Sequence, residues 1–526
     1  MRRIPYGQIN FESIIKDNCI YVDKTMYLEK LESSPNFKKV FYLRPGRFGK
    51  SLFTNMLDYY YAIDRAEKFD TLFNNLYIKE HPTVNKNNYY ILNFDFSGID
   101  SNDNWDIEDL MVAFNSKVID GITQFIYRYN VELEINEKLT PSNLIGKLLT
   151  KFQSLKLENK IYIIIDEYDN FTNGILKGNA EKFLAMLTGE GFIKGFYERI
   201  KEAIKAGVVE RFFATGIAPL TLDSVTTGFN IATDITRNPQ FAAMVGFTEK
   251  EVQDIVNEVL PEKTQQEKQE IYETMKKYYD GYRFSELSSE HTFNSTLVMY
   301  YLCNYVQLQR PPVELLDINI AANFTKLENL LTLKGNNVNK EILEKAIQNQ
   351  EIEGKIVNKF ELDIMPVDEK VIQSLLFYFG YLTIGENTVG LDIKFKIPNY
   401  IMAGIYNDYF INLIQQSGVN IDPSKIREAS HELALEGKID KLCKIVEDYL
   451  RDLGNISWQR YDEKYVKSYM HAILRLNDLF NVYLEYKEQE KIDREKLDRE
   501  NFNREKNGRP FFSFFQKNLD KIKKMV

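Results

Sequence analysis

The stretch Val40–Leu52, VFYLRPGRFGKSL, constrains the chain more than any other. Val40–Leu43 is an apolar run that reads as a buried strand, broken at Pro45-Gly46. Beyond Gly49-Lys50-Ser51, the residues Leu52, Phe53, Met56, Leu57 and Tyr60 recur at helical spacing. A strand, a turn and a helix opening on Gly-Lys-Ser make the context of a phosphate-binding loop. The helix start turns unpaired N–H groups and the positive dipole end toward an anion. Lys50 is then placed to reach the β- and γ-phosphates and Ser51 to ligate Mg²⁺. The full pattern G-x-x-x-x-G-K-[ST] has glycine where this chain has Arg44, and the only loop glycines are Gly46 and Gly49. The loop alone is therefore a moderately specific signal, with a chance Gly-Lys-Ser as its competitor.

The second strong signal is KIYIIIDEYD, Lys160–Asp169. Its run Ile161-Tyr162-Ile163-Ile164-Ile165 is mostly β-branched and describes a central parallel strand buried on both faces. The strand ends in Asp166 and Glu167, at the edge where such sheets place their ligands. Asp166 is placed to hold the Mg²⁺ shell, as a Walker B aspartate does, and Glu167 to polarise an attacking water as general base. Solvated acids at an ordinary strand end are the alternative, which the upstream Gly-Lys-Ser weakens. Two more apolar runs, Tyr89–Phe96 and Val208–Ala214, stop at Ser97-Gly98 and Thr215-Gly216. Thr215 is a candidate to sense the γ-phosphate, although a Thr-Gly turn is the commoner reason for such a pair. Helical spacing at Leu110, Ala113, Phe114, Val118 and Ile122, then at Leu144, Leu148, Leu149 and Phe152, separates the strands. Strands alternating with helices predict an α/β fold, a P-loop NTPase αβα sandwich on a parallel sheet.

Composition narrows the function classes. A net charge of −9 supplies no global basic field, so nucleic-acid contact would need a local patch. Cys19, Cys303 and Cys443 lie far apart, which excludes a disulfide framework or a cysteine zinc site and suits a reducing compartment. His81, His291, His431 and His471 form no metal-spaced pair. The start, MRRIPYGQINFESI, lacks the apolar core of a signal peptide, and no apolar run approaches the roughly 20 residues of a membrane span. A cytoplasmic protein with no membrane partner is expected.

The βα pattern stops near Gly246-Phe247-Thr248, where Thr248 is placed to cap a helix through Val252 and Ile255. The remainder to about residue 400 reads as mainly helical, with a polar island Tyr279–Phe284. Asp23 and Lys24 read as turn or cap residues. Residues 485–507 form a run of alternating charge, usual for a solvated helix or tail. Expected domains are 1–245, the ATPase-type sandwich; 246–405, a helical lid or winged-type region; and 420–526.

Several blocks together resemble one family. They are Pro5-Tyr6-Gly7, Tyr21-Val22-Asp23-Lys24-Thr25, Arg44-Pro45-Gly46-Arg47-Phe48-Gly49-Lys50-Ser51 and Ile165-Asp166-Glu167-Tyr168-Asp169. With them go Ala214-Thr215-Gly216, Gly246-Phe247-Thr248, Tyr279-Asp280-Gly281-Tyr282, Phe377-Tyr378-Phe379-Gly380-Tyr381-Leu382 and Ile397-Pro398-Asn399. In this order over about the first 400 residues they resemble the AAA-ATPase-like proteins of bacteria and some gut fungi, whose chains commonly end in a PD-(D/E)XK nuclease domain. That family typically carries Arg-Pro-Arg-Arg-Phe-Gly-Lys-Ser, which accounts for Arg44; here Gly46 replaces one arginine. The resemblance implies ATP and Mg²⁺ as cofactors, the loop Arg44–Leu52 as nucleotide-binding, Ser51 and Asp166 as metal-holding, and Lys50, Glu167 and Thr215 as catalytic.

The family's nuclease continues with a Gly-Arg-x-Asp block and a strand bearing Glu-x-Lys. After Tyr486 this chain runs into its charged stretch instead, and Glu485-Tyr486-Lys487 lacks a strand-borne aspartate before it. The expectation is a truncated α/β nuclease-like remnant over 420–526 that docks or dimerises without cutting DNA. The leading reading is thus an Mg²⁺-dependent ATPase whose helical region moves as a lid. A nucleotide-gated scaffold without useful turnover, and an ATPase-coupled nuclease, are the alternatives. Arg47 and Arg237 are further phosphate-contact candidates; a protein partner and an oligomer are open.

Overall fold

The computed structural model describes residues 2–99, 107–170, 192–219, 231–312 and, with short gaps, parts of 314–448. It divides into two compact units, Met1–Ile342 with Glu351–Ala403, and Leu343–Gln350 with Gly404–Val526. The C-terminal nuclease-like expectations, Glu485 and Lys487 among them, lie outside the described residues.

The first unit is built on a five-stranded sheet of order β2-β3-β4-β1-β5, with every pairing parallel. Its strands are β1 (Lys39–Leu43), β2 (Tyr89–Asp95), β3 (Lys160–Asp166), β4 (Val209–Gly216) and β5 (Thr233–Asp234). Ile161–Ile165 of β3 are each no more than 2% exposed, because helices cover both faces of a parallel sheet. α1 (Lys50–Tyr61) follows β1 and buries Phe53, Met56, Leu57, Tyr60 and Tyr61. α2 (Ile107–Tyr129) and α3 (Pro141–Ser154) lie between β2 and β3, and α4 (Phe192–Lys205) precedes β4. Thr140 caps α3 through the Asn143 N–H, and Pro141 sits in its first turn, where a missing N–H costs nothing.

β4 separates the loop-bearing β1 from the acid-bearing β3. The register sets Leu43 opposite Gly216, Ala214 opposite Ile165, and Asp166 opposite Asp95. All these carboxyl ends therefore reach one edge, where the strand order reverses and a parallel sheet opens a crevice.

The rest of this unit is not purely helical. α5 (Glu249–Val259), α6 (Gln265–Tyr279), α7 (Ser295–Leu308) and α8 (Glu369–Tyr378) accompany a three-stranded antiparallel sheet of β6 (Ile352–Gly354), β7 (Thr383–Ile384) and β8 (Ile393–Lys396). Thr248 and Glu251 form a reciprocal capping box on α5. The described part of the second unit contains the helix turns of 404–416 and α9 (Pro423–Glu436), where Lys441 pairs with Glu428 and Glu432 on the surface. Among the described residues no helix is long and apolar enough to cross a membrane.

Candidate functional site

The loop from Arg44 to Gly49 is shaped by two left-handed residues, Arg47 at φ +70° and Gly49 at φ +95°. Gly49 is the N-cap of α1, so the helix opens directly on Lys50. The Lys50 ammonium turns back across the loop and donates to the carbonyls of Arg44 and Pro45, both at 3.0 Å. Burial pushes its pKa down, opposed by the charges of Glu167, Asp166 and Asp169.

Ser51 lies near enough to Asp166, at the end of β3, to help lower the pKa of its carboxyl. Burial raises the Asp166 carboxyl to about 6, against the pull of Ser51 and Lys50; Glu167 and Asp95 push it further up. Asp95 is an acid that the sequence reading did not single out, although β2 visibly ends on it. A hydroxyl and a carboxylate near one another, with a lysine nearby, are a donor set suited to Mg²⁺, which takes one or two protein oxygens and completes its shell with water and phosphate.

The loop and Glu167 face one cavity of about 290 Å³, whose lining does not include Asp166 or Asp95. Arg47, Phe48, Gly49, Lys50, Ser51, Leu52 and Glu167 line one part of it. The other walls are Pro5–Ile9, Ile20–Val22, Lys24, Met244–Phe247, Ser295, Thr296 and Met299. Those walls were missed as functional. The only signal for them was that Pro5-Tyr6-Gly7, Tyr21–Thr25 and Gly246-Phe247-Thr248 are blocks of the resemblance without an assigned role.

Three candidates are corrected. The Arg44 side chain does not face the cavity: it is 1% exposed, donates to the carbonyls of Leu43, Thr236, Phe241 and Ala242, and lies between the Tyr42 and Phe284 rings. Only its main chain contributes, through the carbonyl that accepts Lys50. The Thr215 hydroxyl donates to the Tyr42 carbonyl at 2.8 Å between β4 and β1, so its proton is committed inside the sheet. Arg237 is ion-paired with Glu286 at 3.1 Å and does not line the cavity. Gly46, by contrast, lies in open space and Pro45 is buried beneath the loop.

The outer side of the loop is bound to the segment after residue 245. The Gly246 N–H donates to the Phe48 carbonyl at 2.8 Å, and the Thr296 hydroxyl to the Arg47 carbonyl at 2.8 Å. The Phe48 ring sits edge-on against Tyr282 and Phe284, with centroids 4.9 and 5.4 Å away. Lys24 is not a turn residue in effect: its ammonium is buried against Glu251, at 2.8 Å from both oxygens, and the Ala243 carbonyl.

Residues 5–226 match the family model described as a predicted AAA-ATPase. A protein of Azotobacter chroococcum mcd 1, described as uncharacterized and in the vnfD 5' region, is 22% identical over 415 residues, covering 77% of this chain and 69% of its own length. Among solved structures the chain is similar to the Walker-type ATPase PABY2304 of Pyrococcus abyssi, at 14% identity and a TM-score of 0.37, over 77% of this chain and 98% of that one.

Proposed function

We propose that the chain binds ATP with Mg²⁺ and hydrolyses it at the edge of the parallel sheet, a reading supported by the match of residues 5–226 to the predicted AAA-ATPase model. The observation that carries this reading is the convergence of Lys50, Ser51 and Glu167 on one cavity, with Asp166 at the strand end beside Ser51. The first N–H groups of α1 and the Lys50 ammonium receive the β- and γ-phosphates. Ser51 and Asp166 would hold the ion, whose charge offsets that of the phosphates. Glu167 takes the proton of the attacking water. The apolar walls Pro5–Ile9, Val22 and Met299 accommodate the nucleoside end.

Cleavage removes the γ-phosphate contacts of a loop fastened to residues 246–296, and this is the route by which turnover would move that region. Nucleotide binding and multiple-turnover phosphate release by the purified chain, with and without EDTA, test the reading. Lys50→Ala is expected to lose at least about tenfold in ATP affinity. Glu167→Gln is expected to bind ATP while losing about a hundredfold or more in rate. Equal affinity in wild type and Lys50→Ala defeats the binding site. Release of no more than one equivalent of phosphate replaces the enzyme with a nucleotide-gated scaffold.

A further inference from the structure

Glu167 lies in the left-handed region at φ +49° while lining the cavity beside Lys50 and Ser51. A glutamate keeps that conformation only where its neighbours impose it. On one side, Asp166 is fixed by its pairing with Asp95, and its Oδ1 accepts the Glu167 N–H at 3.0 Å. On the other side, Tyr168 and Asp169 grip the chain where it leaves β4. The Tyr168 N–H donates to the Thr215 carbonyl at 3.0 Å, and its phenol donates to the Ala218 carbonyl at 2.7 Å. The Asp169 carboxylate, 1% exposed, accepts the Ile217 N–H at 3.0 and 3.1 Å and the Ala218 N–H at 2.7 Å. Gly216 is needed between them, because a Cβ there would stand 2.3 Å from Asp169 Oδ1 and 2.5 Å from the Tyr168 ring. Neither Tyr168 nor Asp169 lines the cavity.

We propose that Tyr168 and Asp169 are positioning residues: by clamping the Gly216–Ala218 turn they hold Glu167 in its left-handed conformation, aimed at the water that attacks the γ-phosphate. This rests on the ATPase reading above. In that step the water oxygen bonds to the γ-phosphorus, the bond to the β,γ-bridging oxygen breaks, and Glu167 takes the water proton, leaving ADP and phosphate. Without the clamp Glu167 relaxes toward ordinary backbone angles, and its carboxylate leaves the line of attack. Binding is untouched, because the phosphate contacts come from the loop.

The test uses the full chain with ATP and Mg²⁺, reading kcat and the Kd of a fluorescent ATP analogue. The variants are Tyr168→Phe, Asp169→Asn, Glu167→Gln and the doubles that combine each of the first two with Glu167→Gln. Asp169→Asn is expected to lower kcat at least about tenfold and Tyr168→Phe about threefold, with Kd within about threefold of wild type. Both losses should vanish in the Glu167→Gln background, since residues that act through Glu167 have nothing left to position. Losses that persist in that background overturn the proposal, and so do single variants that turn over at the wild-type rate. Should Asp169→Asn fail to fold, Tyr168→Phe, which lacks one hydroxyl, decides alone. Failure of the ATPase reading looks different: a wild type without turnover, or a Glu167→Gln as fast as wild type, sinks both.

Discussion

Arg44 stands where the usual phosphate-loop pattern has glycine, and its surroundings show why the exchange is tolerated. The left-handed conformations of the loop fall on Arg47 and Gly49, so position 44 needs no glycine. Its guanidinium instead satisfies four main-chain carbonyls inside the protein, in a place where burial holds its pKa down. Arg44→Ala removes that donor from all four carbonyls, of which Phe241's keeps the Tyr42 hydroxyl and the Met244 N–H, and is expected to cost about 3 kcal/mol, read as a shift of the urea midpoint. A second residue-scale prediction concerns Val22, which lines the same cavity as the loop. Val22→Trp fills the part of the cavity proposed above for the nucleoside. It is expected to weaken ATP binding about tenfold while leaving inorganic tripolyphosphate, which needs only the loop and lysine, bound as in wild type. Equal losses for both ligands would show that the nucleoside lies elsewhere. The loop, the lysine and the acidic pair were legible because their chemistry is written in consecutive residues. Arg44, Thr215 and Arg237 misled because a sequence gives a side chain's position along the chain and not its direction. Whether a hydroxyl at a strand end faces ligand or a neighbouring strand depends on register.

The turn Tyr279-Asp280-Gly281-Tyr282 shows the same limit for an element. It stood out as a polar island without a role, and the structure makes it a buttress. Gly281 has φ +92°, and a Cβ there would meet the Pro398 carbonyl oxygen at 2.1 Å. The Asn399 amide donates to the Asp280 carbonyl at 2.8 Å, and Tyr282 supports Phe48 of the loop. Two blocks far apart in sequence are thus one contact. Pairings of this kind, like the short strands β6, β7 and β8, leave little local trace because so few residues carry them. The long parallel strands and amphipathic helices announce themselves by periodicity. Burial raises the Asp280 carboxyl to about 6 from 3.8, opposed by the Gly281 N–H and Lys276. The folded state therefore holds this proton more tightly than the unfolded chain. Stability falls as pH rises from about 4 through about 6, and the cost is complete above that. Asp280→Asn keeps the shape and removes the charge. It is expected to be more stable than wild type by on the order of 2 kcal/mol at pH 8, with the advantage gone near pH 4. Denaturant midpoints at both pH values check this, and an advantage of equal size at pH 4 would assign it to another cause.

For the first unit as a whole, the question is how chemistry at the sheet edge reaches residues beyond 245. The fastening is made of few bonds. Gly246 N–H and Phe48 C=O meet on one side of the loop, Thr296 and the Arg47 carbonyl on the other, with the Phe48 ring seated between Tyr282 and Phe284. Pro45 closes against Gly380, where a Cβ would come within 2.9 Å of it. Every block of the resemblance between Gly246 and Gly380 thus rests on the loop or on its immediate support. Lys24 and Glu251 form a second tie, joining the N-terminal wall of the cavity to α5. Glu251 both caps α5 and pairs with a buried ammonium, so Glu251→Ala is expected to cost about 3 kcal/mol. Ligand contacts with the loop should therefore be felt in the amides that hold it. Hydrogen exchange with ATP and Mg²⁺ under conditions that block turnover, as in Glu167→Gln, is expected to slow at Gly246–Phe247 and at 294–297. ADP should protect them less, because the γ-phosphate contacts that order the loop are gone. Lys50→Ala should show neither change. Protection confined to 44–52, with 246–296 exchanging alike in ATP, in ADP and without nucleotide, would mean that the ties only brace the loop and that hydrolysis moves nothing beyond it.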